Sequence, residues 1–185
     1  MSTIFINPPF IYNIIHYFSN LLNPEKNNQK EHHDLTVPVV SSGLHILLAD
    51  DDDDDRYFFA QAVNELSGCI KLSTAKDGTE LLRLLKNTDV ELPDLIFLDL
   101  NMPRKNGLEC LEELRQSAQL KNIPVIIYST SSHPRQVEDT YKKGANLFIQ
   151  KPDSYTGIKK VLHKVLSISR DELCQQADRA SFLIQ

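Results

Sequence analysis

Basic residues are in the minority. Twenty Lys and Arg stand against 25 Asp and Glu, for a net charge of −5 at neutral pH. That balance speaks against a general nucleic-acid binder, which carries a positive excess to meet the phosphate backbone. Cysteine is scarce. Cys69, Cys110 and Cys174 are too few and too widely spaced for a disulfide framework or a zinc pattern. They read as ordinary thiols of a reducing compartment. No apolar run approaches the roughly 18 residues of a membrane-spanning helix. The N-terminus lacks the basic start and continuous apolar core of a secretory signal. The expected compartment is the cytoplasm, with no membrane and no nucleic acid as direct partners. Tryptophan is absent and glycine is sparse, with six in 185 residues. What remains is 41% apolar and 24% charged, the composition of a globular chain, and its length suits one domain with an appendage.

The composition changes near residue 43. Residues 1–22 are rich in aromatics, Ile and Asn. Ile11, Ile14, Ile15, Phe18 and Leu22 recur at helical spacing, so a short amphipathic helix is expected at 10–22. Residues 23–43 are polar and without periodicity, which is the signature of a linker. The pair His32-His33 within it reads as solvated, because no other ligand has metal-site spacing nearby. Residues 1–43 thus form an extension. It is either a docking helix for a partner protein or for a second copy of the chain, or translated upstream sequence.

From residue 44 to 169 strand and helix patterns alternate five times. HILLA (45–49), IKLSTA (70–75), DLIFLDL (94–100), VIIYS (125–129) and NLFIQ (146–150) read as strands. Helical periodicity is expected over 56–66, the stretch after Asp77-Gly78, 106–116, 134–144 and 157–169. DLIFLDL is nearly all apolar, as a strand covered on both faces should be. The alternation predicts an α/β fold with a doubly wound, five-stranded parallel sheet and right-handed crossovers. Residues 170–185 are a tail, read as an extension of the last helix or a short packed arm. It is too short for a DNA-binding fold.

In such folds the functional crevice lies beyond the carboxyl ends of the strands. The first strand runs into six consecutive aspartates, Asp50 to Asp55. The third ends in Asp99, the fourth in Ser129-Thr130, the fifth in Lys151-Pro152. Clustered carboxylates repel one another and need a cation to remain ionised together. An all-oxygen donor set suits a hard divalent ion such as Mg²⁺, which takes few protein carboxylates and keeps several waters. One carboxylate can then act as nucleophile toward phosphorus and form an acyl phosphate. Lys151 can supply further positive charge, and Ser129 or Thr130 a hydrogen bond. Each of these residues alone has a bland reading: a turn aspartate, a surface lysine, a turn hydroxyl. Their coincidence at four strand ends carries the inference.

Residues 44–168, and above all LDLNMPRKNGLECLEEL, resemble the receiver domain of two-component response regulators, the CheY-like family. YSTSSHPRQVEDTYKKGANLFIQKP also resembles stand-alone receivers of the phytochrome-associated type. The resemblance implies a flavodoxin-like (βα)5 domain with strand order 2-1-3-4-5. It places the phospho-acceptor at Asp99, and the Mg²⁺ site at Asp50, Asp51, Asp99 and the backbone carbonyl of Asn101. Ser129 falls on the switch hydroxyl and Lys151 on the lysine that contacts the phosphoryl group. Lys151-Pro152 falls on a bond that is usually cis in the family. Phe148 stands at the switch aromatic, often Tyr, and lacks its hydroxyl. Thr130 stands where a smaller residue often admits the phosphoryl group.

The implied function is a single-domain response regulator, not an enzyme except toward its own phosphorylation and dephosphorylation. A sensor histidine kinase donates the phosphoryl group. Output passes to a downstream protein through the face of helix 4, strand 5 and helix 5, near Arg135, Tyr141, Lys142 and Lys143. A homodimer is a further arrangement the resemblance allows. Two rivals stand beside this reading. A haloacid-dehalogenase-like phosphatase needs Asp-x-Asp, whereas Asp99-Leu100-Asn101 lacks the second carboxylate. A pseudo-receiver scaffold without phosphorylation does not need the intact acceptor, acidic pair and lysine.

Overall fold

The computed structural model describes residues 43–66 and 70–184. The expected helix at 10–22, the His32-His33 pair and Cys69 lie outside the described residues. Strands and helices follow in the order β1 (Leu44–Ala49), α1 (Asp53–Leu66), β2 (Ile70–Ala75), α2 (Gly78–Leu85), β3 (Leu95–Leu98) and α3 (Gly107–Gln116). Then come β4 (Val125–Ser129), α4 (Pro134–Lys142), β5 (Leu147–Gln150), α5 (Tyr155–Leu166), α6 (Arg170–Cys174) and β6 (Leu183–Ile184). The sheet order is β2-β1-β3-β4-β5-β6, and every pair is parallel. The order 2-1-3-4-5 is as expected, and a sixth strand extends it.

β3 and β4 are buried at every position because helices cover both faces of the central sheet. On one face Leu81 and Leu85 of α2, Leu111 and Leu114 of α3, and Val137 of α4 meet Leu47, Ile96, Leu98 and Ile127. On the other, Phe59, Ala62 and Val63 of α1, with Leu162 and Val165 of α5, meet Ile46, Leu48, Phe97 and Ile149. Phe59 anchors the second face, with its ring 4.9 Å from Phe97 and 5.6 Å from Tyr128 in edge-on contacts. Fully burying such a side chain contributes about 1.5–3 kcal/mol, and an edge-on aromatic pair about 0.5–1.5 kcal/mol more.

Helix starts follow local chemistry. Asn106 caps α3 in a reciprocal capping box with Glu109. Asp77 caps α2 by accepting from the Glu80 N–H. α1 begins at Asp53, earlier than the apolar periodicity suggests. The Asp52 carboxylate accepts from the N–H groups of Asp54 at 2.8 Å and Asp55 at 3.2 Å. Those bonds satisfy first-turn donors and hold the Asp52 carboxyl below its usual pKa. Asp53 to Asp55 fill the first turn, where negative charge suits the helix dipole. After α4, Gly144 takes a φ of +84°, the left-handed conformation that ends a helix cheaply only with glycine.

The tail does not continue α5. The helix stops at Leu166 with Ser167 as its cap. Ser169 then opens the five-residue α6 through a second capping box. The chain passes α4 and pairs beside β5, with Phe148 opposite Leu183 and Ile149 opposite Ile184.

Candidate functional site

Strand register builds the site. β1 and β3 pair with Ala49 opposite Leu98, so the next residues, Asp50 and Asp99, emerge side by side. The Asp99 N–H donates to the Ala49 carbonyl at 2.9 Å, and the Asp50 N–H to the Ala75 carbonyl at 3.0 Å. β4 and β5 pair with Ser129 opposite Gln150. Lys151 therefore follows at the same rim, with its N–H on the Ser129 carbonyl at 2.8 Å.

The Lys151 ammonium is the hub of this rim. Its Nζ lies 2.7 Å from Oδ2 of Asp50, 2.7 Å from Oδ2 of Asp55 and 3.1 Å from Oδ2 of Asp99. The Asp50 contact is an ion pair by distance but lies off the hydrogen-bond direction. Asp50 and Lys151 are both buried. Burial pushes the Asp50 carboxyl up to about 6, against the opposing pull of Lys151, and the neighbouring Asp99 charge adds to the rise. Burial alone would lower the pKa of Lys151, but its contacts with Asp50 and Asp55 and the charge of Asp99 outweigh that and raise it. The ammonium therefore stays charged at neutral pH.

One ammonium faces several carboxylates, so the site is short of positive charge. Oxygens of Asp50, Asp51 and Asp99 lie within 4.8 Å of one another. A single hard cation can bridge that span with waters completing its shell. The raised Asp50 carboxyl and the exposed Asp51 carboxylate fit the same ion. The donor set is therefore suited to Mg²⁺. Asn101 lines the same cleft with Asp51, Asp99, Thr130 and Lys151, and its N–H donates to Asp99 Oδ1 at 3.2 Å.

Ser129 is fully buried, and its Oγ has no hydrogen-bond partner among the described residues. Thr130 is exposed at the cleft wall. Phe148 lies one strand away from Ser129 and is fully buried, with the Phe182 ring edge-on at 6.4 Å. The Lys151-Pro152 bond differs from the expectation: no peptide bond is cis among the described residues, this one included. Of the basic residues near the expected output face, Lys142 pairs with Glu138 at 3.2 Å and Lys143 with Glu112. Tyr141 is half-buried beneath Phe182, with ring centroids 5.0 Å apart.

Sequence reasoning missed several contributors. Asp55 holds Lys151 as closely as Asp50 does, and Arg56 Nη1 donates to the Asp50 carbonyl at 2.5 Å. Neither was legible without the helix start. Gly107 is more instructive. A Cβ there would lie 2.0 Å from the Asp99 carbonyl oxygen, so only glycine lets α3 begin against the Asp99 backbone. The Asn-Gly pair ahead of an apolar helical pattern was the available signal. The buried Asp77 carboxylate accepts from Arg104, which holds its carboxyl below the usual range. Arg104 sits at a φ of 64° in the loop after Pro103.

Comparison with known proteins agrees with this geometry. A family model for the response regulator receiver domain matches residues 46–163, more than half of the chain, and the chain belongs to that family. The two-component response regulator ARR17 of Arabidopsis thaliana is 32% identical over 110 residues, covering 55% of this chain and 71% of that protein. The response regulator Rcp1 of Synechocystis sp. is 36% identical over 75 residues, or 40% of this chain. The match spans 51% of Rcp1's length. Among solved structures, the phosphorylated cyanobacterial phytochrome response regulator RcpA superposes with a TM-score of 0.64 at 28% identity, covering 67% of this chain and 91% of that one. The Mn²⁺-bound form of Rcp1 gives 0.62 at 28% identity, covering 68% and 93%. Receiver domains are signalling modules of two-component systems rather than free-standing enzymes, and they bind Mg²⁺ at their acidic pocket. No helix among the described residues is long and apolar enough to cross a membrane.

Proposed function

We propose that this chain is a phosphorylation-operated response regulator, with Asp99 accepting a phosphoryl group from a sensor histidine kinase in the cytoplasm. The observation that carries the reading is the convergence of Asp50, Asp51, Asp99 and Lys151 at one rim. An oxygen of the Asp99 carboxylate attacks phosphorus, the bond from phosphorus to the donor imidazole breaks, and an acyl phosphate forms while the imidazole keeps the electron pair and takes a proton. Asp50, Asp51, Asp99 and the carbonyl of Asn101 would hold Mg²⁺, which would supply positive charge against the transferring group. Lys151 shifts from its carboxylate partners to the phosphoryl oxygens. Ser129, whose hydroxyl has no partner among the described residues, turns toward the same oxygens. Phe148 moves into the space it leaves, and the balance of two preexisting states shifts. A downstream protein reads the change at the face of α4, β5 and α5. Residues 44–169 form this module, with 1–43 as an extension.

The test uses acetyl phosphate with Mg²⁺. The wild-type chain should gain an acid-labile, hydroxylamine-sensitive adduct, and Asp99→Asn should lose it completely. Beryllofluoride with Mg²⁺ should shift the amide resonances of Asn101 and Thr130 in the wild type alone. Unchanged labelling of Asp99→Asn would refute the assignment. Steady turnover of p-nitrophenyl phosphate would favour the phosphatase instead.

A further inference from the structure

Residues 175–184 lie over the edge of β5, the strand at the centre of the expected output face. Phe182 is fully buried against Tyr141 and Phe148. Its carbonyl accepts from the Phe148 N–H at 2.8 Å. Leu183 packs on the Phe148 side of the sheet and Ile184 on the opposite side, so the arm grips both faces of β5. Upstream, Arg179 pairs with Glu138 at 2.6 Å and stacks 5.3 Å over the Tyr141 ring. Gln176 donates to the Tyr141 and Ala145 carbonyls at 2.6 and 3.0 Å. This is the chemistry of strand addition: a main-chain hydrogen bond for hold, side-chain pockets for selectivity. A bare sheet edge invites such pairing. Here a strand of only two residues covers it, which is short enough to displace.

We propose that the β5 edge is the docking surface for an extended segment of the downstream protein, and that residues 179–184 are its intramolecular stand-in. The partner segment carries the arm's chemistry: a cation opposite Glu138, then an aromatic ring between Tyr141 and Phe148, then two aliphatic residues straddling β5. It runs parallel to that strand and enters only when the arm leaves. The inference rests on reading the chain as a receiver with a downstream protein partner, but the surface itself does not depend on Asp99. A tethered arm acts at an effective concentration in the millimolar range, so a free segment of the same kind is kept out until the arm weakens.

The probe is a fluorescein-labelled peptide of residues 175–185, titrated with full-length chain and read by anisotropy. Phe182→Ala should bind it at least about tenfold more tightly than wild type, since the intramolecular competitor is gone. Arg179→Glu disturbs an exposed ion pair and the guanidinium stack over Tyr141 but leaves the buried core intact. It should tighten binding about threefold, and it decides the matter if Phe182→Ala fails to fold. A peptide with Phe182 replaced by Ala should not bind. Equal affinity across the three chains overturns the proposal. So does a wild-type dimer at micromolar concentration that Phe182→Ala abolishes, which would make a second copy's arm the occupant. Asp99→Asn should leave these affinities unchanged. Peptide binding that persists while acetyl phosphate labels nothing would refute the phospho-acceptor reading and leave the docking surface standing.

Discussion

The rim of strand ends and the edge of β5 lie in the same sheet and are built on opposite principles. At the rim, Asp50, Asp55 and Asp99 crowd one ammonium, a buried carboxyl is pushed up to about 6, and a buried hydroxyl has no partner among the described residues. At the edge, Phe182 is wholly enclosed and the arm's carbonyl and guanidinium are both paired. The rim keeps charge and hydrogen-bonding capacity for a ligand; the edge has spent its own internally. Substitutions should therefore move stability in opposite directions at the two places.

The largest expected effect is at the edge. Phe182→Ala should cost about 3 kcal/mol in urea denaturation, the low end for losing a buried Phe, because the arm can leave locally. The hydrogen exchange of the Phe148 amide should accelerate with it. No change in either would remove the arm from the fold's energetics.

At the rim the sign reverses. The Asp50 carboxyl is raised from 3.8 to about 6, so the fold favours its protonated form. That stabilisation is fully present below the unfolded value and is lost as pH rises through about 6. Without metal at pH 7, Asp50→Asn should stabilise the chain by up to about 3 kcal/mol, and most of the gain should be gone by about pH 4. Proton and metal compete for the same oxygens, so Mg²⁺ affinity should fall about tenfold between pH 7 and 5, measured by calorimetry. A variant less stable than wild type at pH 7, or a flat affinity profile, would break the contrast.

A finer test divides the six aspartates. Asp51→Asn should weaken Mg²⁺ binding about tenfold, equivalent to about 1.4 kcal/mol, and Asp54→Asn less than twofold. Equal losses would mean that the wrong aspartates have been matched to the strand end. The smallest effect is expected at Asp55. Its carboxylate is partly exposed despite the Lys151 contact, so Asp55→Asn should change stability by less than about 1 kcal/mol. The Lys151 Nζ resonance should shift nonetheless.

The rim was legible because parallel strands in register end together. Once HILLA and DLIFL are strands, Asp50 and Asp99 must sit side by side, and the Asp50-Asp51 pair is singled out by its distance from the strand end. The role of Asp55 was not legible. Six identical residues hide where a helix starts, and the apolar periodicity becomes clear only after Arg56, whereas α1 begins at Asp53. The strand at Leu183–Ile184 is too short for alternation to reveal, since a period of two needs four or more residues to show. Its partner, β5, is distant in sequence.

By itself, then, the sequence determined the alternation of strand and helix, the burial of the central strands and the residue types at each strand end, because these follow from local periodicity and spacing. Only the tertiary structure decided which carboxylates share Lys151, why Gly107 must be glycine, and that the tail returns to close β5. Those outcomes depend on pairs such as Lys151 with Asp55 and Phe182 with Phe148, which meet only when the chain has folded back on itself.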